Sequence, residues 1–153
     1  MKKTISVILF LIMLFTTAIP GYAESRMNNS DDSSIEFFSD GSYMTTTIQI
    51  ESETSTRATS TKTGSKIDRF YDSDGVLQWT ITLKGTFTYN GSTSTCTNSE
   101  VSYSVSDSKW KVKEAVASKS GSSAVGDFVV KRYALLIPVQ TESVHMTLTC
   151  SAN

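Results

Sequence analysis

From Leu77 to Tyr89 the chain alternates. Leu77, Trp79, Ile81, Leu83, Phe87 and Tyr89 stand on odd positions, with Gln78, Thr80, Thr82, Lys84, Thr86 and Thr88 between them. Successive side chains of a strand point to opposite faces, so this run predicts a strand with one face buried. Gly85 interrupts the apolar face and predicts a bulge or a sharp bend. Asp72-Ser73-Asp74-Gly75 before the run and Asn90-Gly91 after it carry hairpin-turn chemistry, because Asp-Gly and Asn-Gly adopt the left-handed backbone that tight hairpins need. Ile67–Tyr71 is strand-like ahead of the first turn.

The pattern recurs downstream. Val101, Tyr103 and Val105 alternate, as do Trp110, Val112 and Val116, the latter series broken by Glu114. Residues 125–139 form a long apolar stretch in which Val129, Tyr133, Leu135, Ile137 and Val139 share one parity. Val144, Met146, Leu148 and Cys150 alternate last, which points Cys150 inward. Upstream, residues 43–50 alternate weakly and predict an edge strand. Residues 24–42 are polar and acidic apart from Ile35, Phe37 and Phe38, and residues 51–65 are rich in Ser and Thr. We therefore expect a polar mobile arm and linker over 24–57 and a β-sandwich over 58–153. No segment after residue 23 has a helical period. Short strands separated by turn signals predict an all-β, antiparallel sandwich. The order Cys96, Trp110, Cys150 matches the Cys…Trp…Cys order of immunoglobulin domains, so an immunoglobulin-like sandwich is expected. The position two before the second cysteine is Leu148, where a true immunoglobulin domain has tyrosine.

The N-terminus changes the picture. Lys2 and Lys3 precede an apolar run from Ile5 to Ile19, followed by Pro20 and Gly21-Tyr22-Ala23. That is the order of a secretory signal peptide over 1–23, cleaved after Ala23. The run is shorter than the ~20 residues of a spanning helix. The expectation is a secreted, extracellular protein of 130 residues with no membrane anchor after cleavage. Its 12 basic and 15 acidic residues give a net charge of −3, too mild for a nucleic-acid partner. Ser and Thr supply 42 of those residues, which suits strands and turns. In an exported chain an even cysteine count predicts pairing, here one disulfide between Cys96 and Cys150.

Two stretches carry a resemblance: Tyr71-Asp72-Ser73-Asp74-Gly75-Val76-Leu77-Gln78-Trp79, and the thirteen residues 85–97, GTFTYNGSTSTCT. With Trp110 and the terminal LTCSAN (148–153), they resemble a group of small secreted proteins of Gram-positive, largely clostridial, bacteria. The resemblance spans about residues 58–153. It implies export and the fold, and it transfers no activity and no site residues.

Candidate chemistry is sparse. His145 is the only histidine and falls on the face opposite Cys150. One histidine builds neither a His-rich zinc site nor, unless distant residues converge, a nucleophile–His–Asp set. Asp72 and Asp74 share a turn, but Val76, Leu77 and Trp79 follow where a calcium loop needs further oxygen ligands. Among the remaining carboxylates, Glu114 and Asp127 interrupt apolar alternation, Glu114 as expected of a strand end or register change. Trp79 and Trp110 have core parity. Lys109, Lys111 and Lys113 share one face of a strand, opposite Trp110 and Val112. This is the candidate contact face, for an anionic cell-wall polymer or a phospholipid surface. Lysines at such positions also discourage edge-to-edge sheet pairing. The expectation is a non-catalytic interaction module without cofactor or metal, acting on a wall polymer or on a host or neighbour surface glycan. The alternative is a small secreted antimicrobial or competition effector.

Overall fold

The computed structural model describes residues 25–27, 32–55 and 59–150. The expected signal peptide, parts of the expected arm and residues 151–153 lie outside the described residues. Nine strands are present: β1 (Ser25–Met27), β2 (Asp32–Phe37), β3 (Tyr43–Ser55), β4 (Ser60–Tyr71), β5 (Leu77–Tyr89), β6 (Ser94–Val105), β7 (Trp110–Ser120), β8 (Ser123–Ala134) and β9 (Ile137–Cys150). Among the described residues there is no helix.

One sheet has the order β2-β3-β4-β5-β6 and the other β1-β9-β8-β7. Every pairing is antiparallel except that β1 runs parallel to β9. Both sheets are meanders: β2 to β6 follow in chain order, and so do β7 to β9. An immunoglobulin domain links its strands by Greek-key crossovers, so the expected immunoglobulin-like topology is corrected to a sequential one. The physical cause is the run of short turns within each sheet, which place each strand beside the last; the turn at 106–109 instead carries the chain from β6 to β7 in the other sheet.

The core lies between the sheets. β5 contributes Trp79, Ile81, Leu83 and Phe87, β8 contributes Phe128 and Val130, β9 contributes Met146 and Leu148, and β7 contributes Trp110. Removing each such side chain from water is worth about 1.5–3 kcal/mol. Gly85 is not itself a bulge. It stays in register with Gly64 and Ser99, and a Cβ there would stand 2.5 Å from the Phe87 ring, which folds over the glycine. The irregularity falls one step on, where β6 carries an extra residue, Thr97, between the partners of Thr86 and Phe87.

Two stretches depart from the sequence expectation. The edge strand expected over 43–50 is longer and sits one place in from the edge, paired with β4 along its length. Within the segment expected to be an arm, Ser25–Met27 and Asp32–Phe37 are strands. β4 presents Lys62, Lys66, Asp68 and Phe70 on the interior side, opposite Phe87, Leu83, Ile81 and Trp79. Desolvation raises the Asp68 pKa above the ordinary carboxylate value, against the opposing influence of the Thr46 hydroxyl and Lys66.

Candidate functional site

The chain turns at one end of the sandwich at residues 38–42, 72–76, 106–109 and 135–136. That end is held by a polar network built from turn residues. Asp72 Oδ1 accepts the N–H groups of Asp74 (3.1 Å) and Val76 (2.8 Å). Its Oδ2 accepts the amide of Gln78 (2.7 Å), which also donates to the Val76 carbonyl. The buried Gln78 in turn accepts the Trp110 indole N–H at 3.2 Å. Its backbone carbonyl takes the N–H groups of Ser106 and Asp107. Beneath lie Phe70 stacked on Trp79 at 5.1 Å and Trp110 edge-on to both. Both tryptophans are thus core residues, as their parity predicted.

Two adjoining clefts of about 160 and 220 Å³ open over this network. They share Asp40, Ser42, Phe70 and Gln140. Glu142 borders one, and Asp72, Trp110 and Arg132 border the other. The Ser42 hydroxyl (2.5 Å) and N–H (3.0 Å) both donate to Asp40 Oδ1, which lowers the Asp40 pKa. Asp40 Oδ1 and Asp72 Oδ1 therefore serve their own turns, while Asp72 Oδ2 is taken by Gln78. No group of three or more His, Cys, Asp or Glu among the described residues is placed to hold a metal ion.

The three candidate lysines are brought together, although not as one strand face. Lys109 lies in the turn before β7, where its N–H donates to Asp107 Oδ1 (2.9 Å) and its carbonyl accepts the Tyr133 N–H (2.8 Å). Lys111 is on the outer face of β7. Lys113 is the extra residue of a bulge between the partners of Val112 and Glu114, which accounts for the break in alternation at Glu114. Lys111 Nζ and Lys113 Nζ sit over the same Tyr133 ring, 5.5 and 5.4 Å from its centroid. Lys131 pairs with Lys111 across β7–β8. All three candidate lysines are exposed. β7 is an edge strand, so these cations also guard an unpaired backbone.

His145 has partners the sequence did not reveal. On the outer face of β8–β9 its Nδ1 lies 2.6 Å from Asp127 Oδ1, and its Nε2 lies 3.4 Å from Thr147 Oγ1. The order Asp–His–Thr has the connectivity of a catalytic triad. The three stand on an open sheet face and line neither cleft. A triad also needs oxyanion donors and a substrate cradle around its nucleophile, and neither cleft supplies one there. It is a cross-strand polar ladder on the outer face.

The expected disulfide is corrected. Cys96 and Cys150 are both buried and are not joined. They lie at the opposite end of the sandwich, where the Cys96 N–H donates to the Gly121 carbonyl and the Cys150 N–H to the Ser122 carbonyl. The Cys96 thiol is turned to the Asn98 carbonyl, 3.2 Å away across the β6 bulge. Burial pushes both thiol pKa values up. Trp110 packs against Trp79 and Phe70 at the other end of the same core, instead of on a disulfide as in an immunoglobulin domain.

Sequence reasoning missed Tyr133, Lys131 and the tip of the β8–β9 hairpin. Residues 125–139 read as one apolar stretch, yet the chain reverses at Leu135-Leu136. Leu135 is 97% exposed and Leu136 91%, with no Gly or Asn to announce the turn. No protein-family model, curated protein or solved structure matches the chain.

Proposed function

We propose that this is an exported, non-catalytic β-sandwich that attaches to anionic surface material through Lys109, Lys111 and Lys113. The observation that carries the proposal is the convergence of Lys111 and Lys113 on the Tyr133 ring beside Lys131, on an exposed strand at the edge of a sheet. Lys111 and Lys113 hold their ammonium groups over the face of one aromatic ring, a cation–π arrangement. The result is a compact cationic patch on a chain whose net charge is negative. Export is supported by the order of basic, apolar and small residues over 1–23. The resemblance of residues 85–97 to secreted proteins of Gram-positive bacteria supports a surface rich in anionic polymer as the setting. The non-catalytic reading is supported by the position of the one histidine on an open sheet face.

Replacing all three lysines with Glu tests the proposal. Wild-type protein should bind isolated cell-wall material less as salt rises, because such contacts are screened over about 10 Å at 0.1 M salt. The triple variant should keep the wild-type circular dichroism spectrum and lose most attachment. Attachment equal to wild type would show that the patch is merely solvated.

A further inference from the structure

The β8–β9 hairpin ends in Ala134-Leu135-Leu136-Ile137-Pro138-Val139, and every one of these residues is exposed. Leu135 and Leu136 are almost wholly in solvent, and Ile137 is 68% exposed. Contiguous exposed apolar side chains of this kind mark an interaction site. The backbone at the tip is held against its own preference. Leu135 has φ 57°, in the left-handed region that glycine or asparagine adopts far more readily than a leucine. Strain of this type clusters at binding sites. Near the base of the tip, β9 carries an extra residue, Val139, between the partners of Arg132 and Tyr133, and a bulge increases the local twist of a hairpin. Pro138 has no N–H to offer a pairing strand.

What surrounds the tip identifies its occupant. Behind the leucines stands the Tyr133 ring, and on that ring lie Lys111 and Lys113, with Lys131 beside them and Lys109 bonded to the Tyr133 backbone. Along the hairpin the exposed apolar tip is followed by Tyr133, level with Lys109, and then by Lys131, level with Lys111. A bilayer presents the complementary order: hydrocarbon, an interface favoured by tyrosine, and phosphate headgroups that attract lysine. Asp40, Asp72, Asp74 and Glu142 border the clefts with the inward-parity residues Arg132 and Gln140, and Asp107 accepts the Lys109 N–H in the turn before β7. Lys111 and Lys131 pair on the outward side of β7 and β8, away from the cleft carboxylates, with Glu114 the nearest acid along β7. A soluble wall polymer would match the lysines and leave the leucines unexplained. A second copy of the chain would bring the same cations against each other.

Resting on the attachment reading above, we propose that the anionic surface is a phospholipid bilayer, and that Leu135, Leu136 and Ile137 enter its interface while Lys109, Lys111, Lys113 and Lys131 contact its headgroups. The test uses protein recovered from the medium of cells expressing the full chain, sedimented with vesicles of phosphatidylcholine with and without phosphatidylglycerol. Wild type should bind the phosphatidylglycerol vesicles and bind pure phosphatidylcholine poorly. Leu135→Asp combined with Leu136→Asp should weaken vesicle binding roughly 100-fold, from the apolar area lost to the bilayer. The triple lysine-to-Glu variant should weaken it by at least a comparable factor, as each cation near an anionic surface contributes roughly fivefold. Both sets of positions are at the surface, so unchanged circular dichroism is expected. Vesicle binding by the leucine variant equal to wild type overturns the proposal. So does loss of a wild-type dimer in that variant without any wild-type vesicle binding, which would assign the tip to a second copy. Wall material is assayed in parallel to separate the two readings. If wild type binds wall polymer through the lysines but never binds vesicles, the attachment reading stands and the bilayer proposal fails. If the lysine variant binds both as wild type does, the attachment reading fails.

Discussion

β5 runs between two hairpin turns made with the same device. At one end Asp72 Oδ1 accepts the N–H groups of Asp74 and Val76. At the other, Asn90 Oδ1 accepts those of Ser92 (3.2 Å) and Thr93 (3.0 Å). Each turn has a glycine in the left-handed region, Gly75 at φ 78° and Gly91 at φ 85°. The difference lies beneath them. Asp72 continues through buried Gln78 to Trp110 on the opposite sheet and, through the Gln78 carbonyl, to the turn that carries Lys109. Asn90 bonds only to its own loop, where the Thr93 hydroxyl adds a third contact. Turn chemistry alone reverses the chain. The Asp72 turn thus couples to the second sheet through a buried side chain, at the end that bears the lysines and the exposed leucines, whereas at the other end the tie runs from the Cys96 N–H to the Gly121 carbonyl and bypasses the Asn90 turn.

The largest effect should come from cutting that coupling. Gln78→Ala leaves the Trp110 indole N–H and one Asp72 oxygen without their buried partner and should cost about 3 kcal/mol, since unsatisfied buried polar groups cost about 1–3 kcal/mol each. Asn90→Ala removes exposed turn bonds that water can replace and should cost only about 1 kcal/mol. Urea unfolding of the two variants measures both values, and equal losses would mean that the two turns are coupled alike. The smallest effect belongs to the cysteine end. A reductant should leave the Tm unchanged, because Cys96 and Cys150 are not joined. A disulfide closing a loop of that length would contribute roughly 4 kcal/mol, and reducing it would lower the Tm by more than about 10 °C.

β5 was legible because its burial is one-sided and its apolar positions keep strict parity from Leu77 to Tyr89. β4 was legible only over Ile67–Tyr71, because its interior side carries Lys62, Lys66 and Asp68. A pattern of polar residues gives no sign that neighbouring strands have closed over it. The lysines could be placed on β7, but their meeting at Tyr133 depends on the β7–β8 register. The Asp127–His145 contact depends likewise on the β8–β9 register. The hairpin tip was hidden most fully. Apolar parity runs unbroken through Leu135, Ile137 and Val139, so the sequence reads as continuing strand at the place where the chain turns into solvent. The even cysteine count led to a bond that the β6 bulge and the Cys96–Asn98 contact turn away from. Pairing arithmetic carries no information about where each sulfur points.

The central claim is that one end of the sandwich binds and the other does not. Amide hydrogen exchange, followed as phosphatidylglycerol-containing vesicles are added, addresses it directly. The account predicts added protection over residues 109–113 and 131–139, with residues 90–97 and 121–123 exchanging as in the unbound protein. Protection centred on 90–97 and 121–123, or binding that leaves 131–139 unprotected, would contradict it.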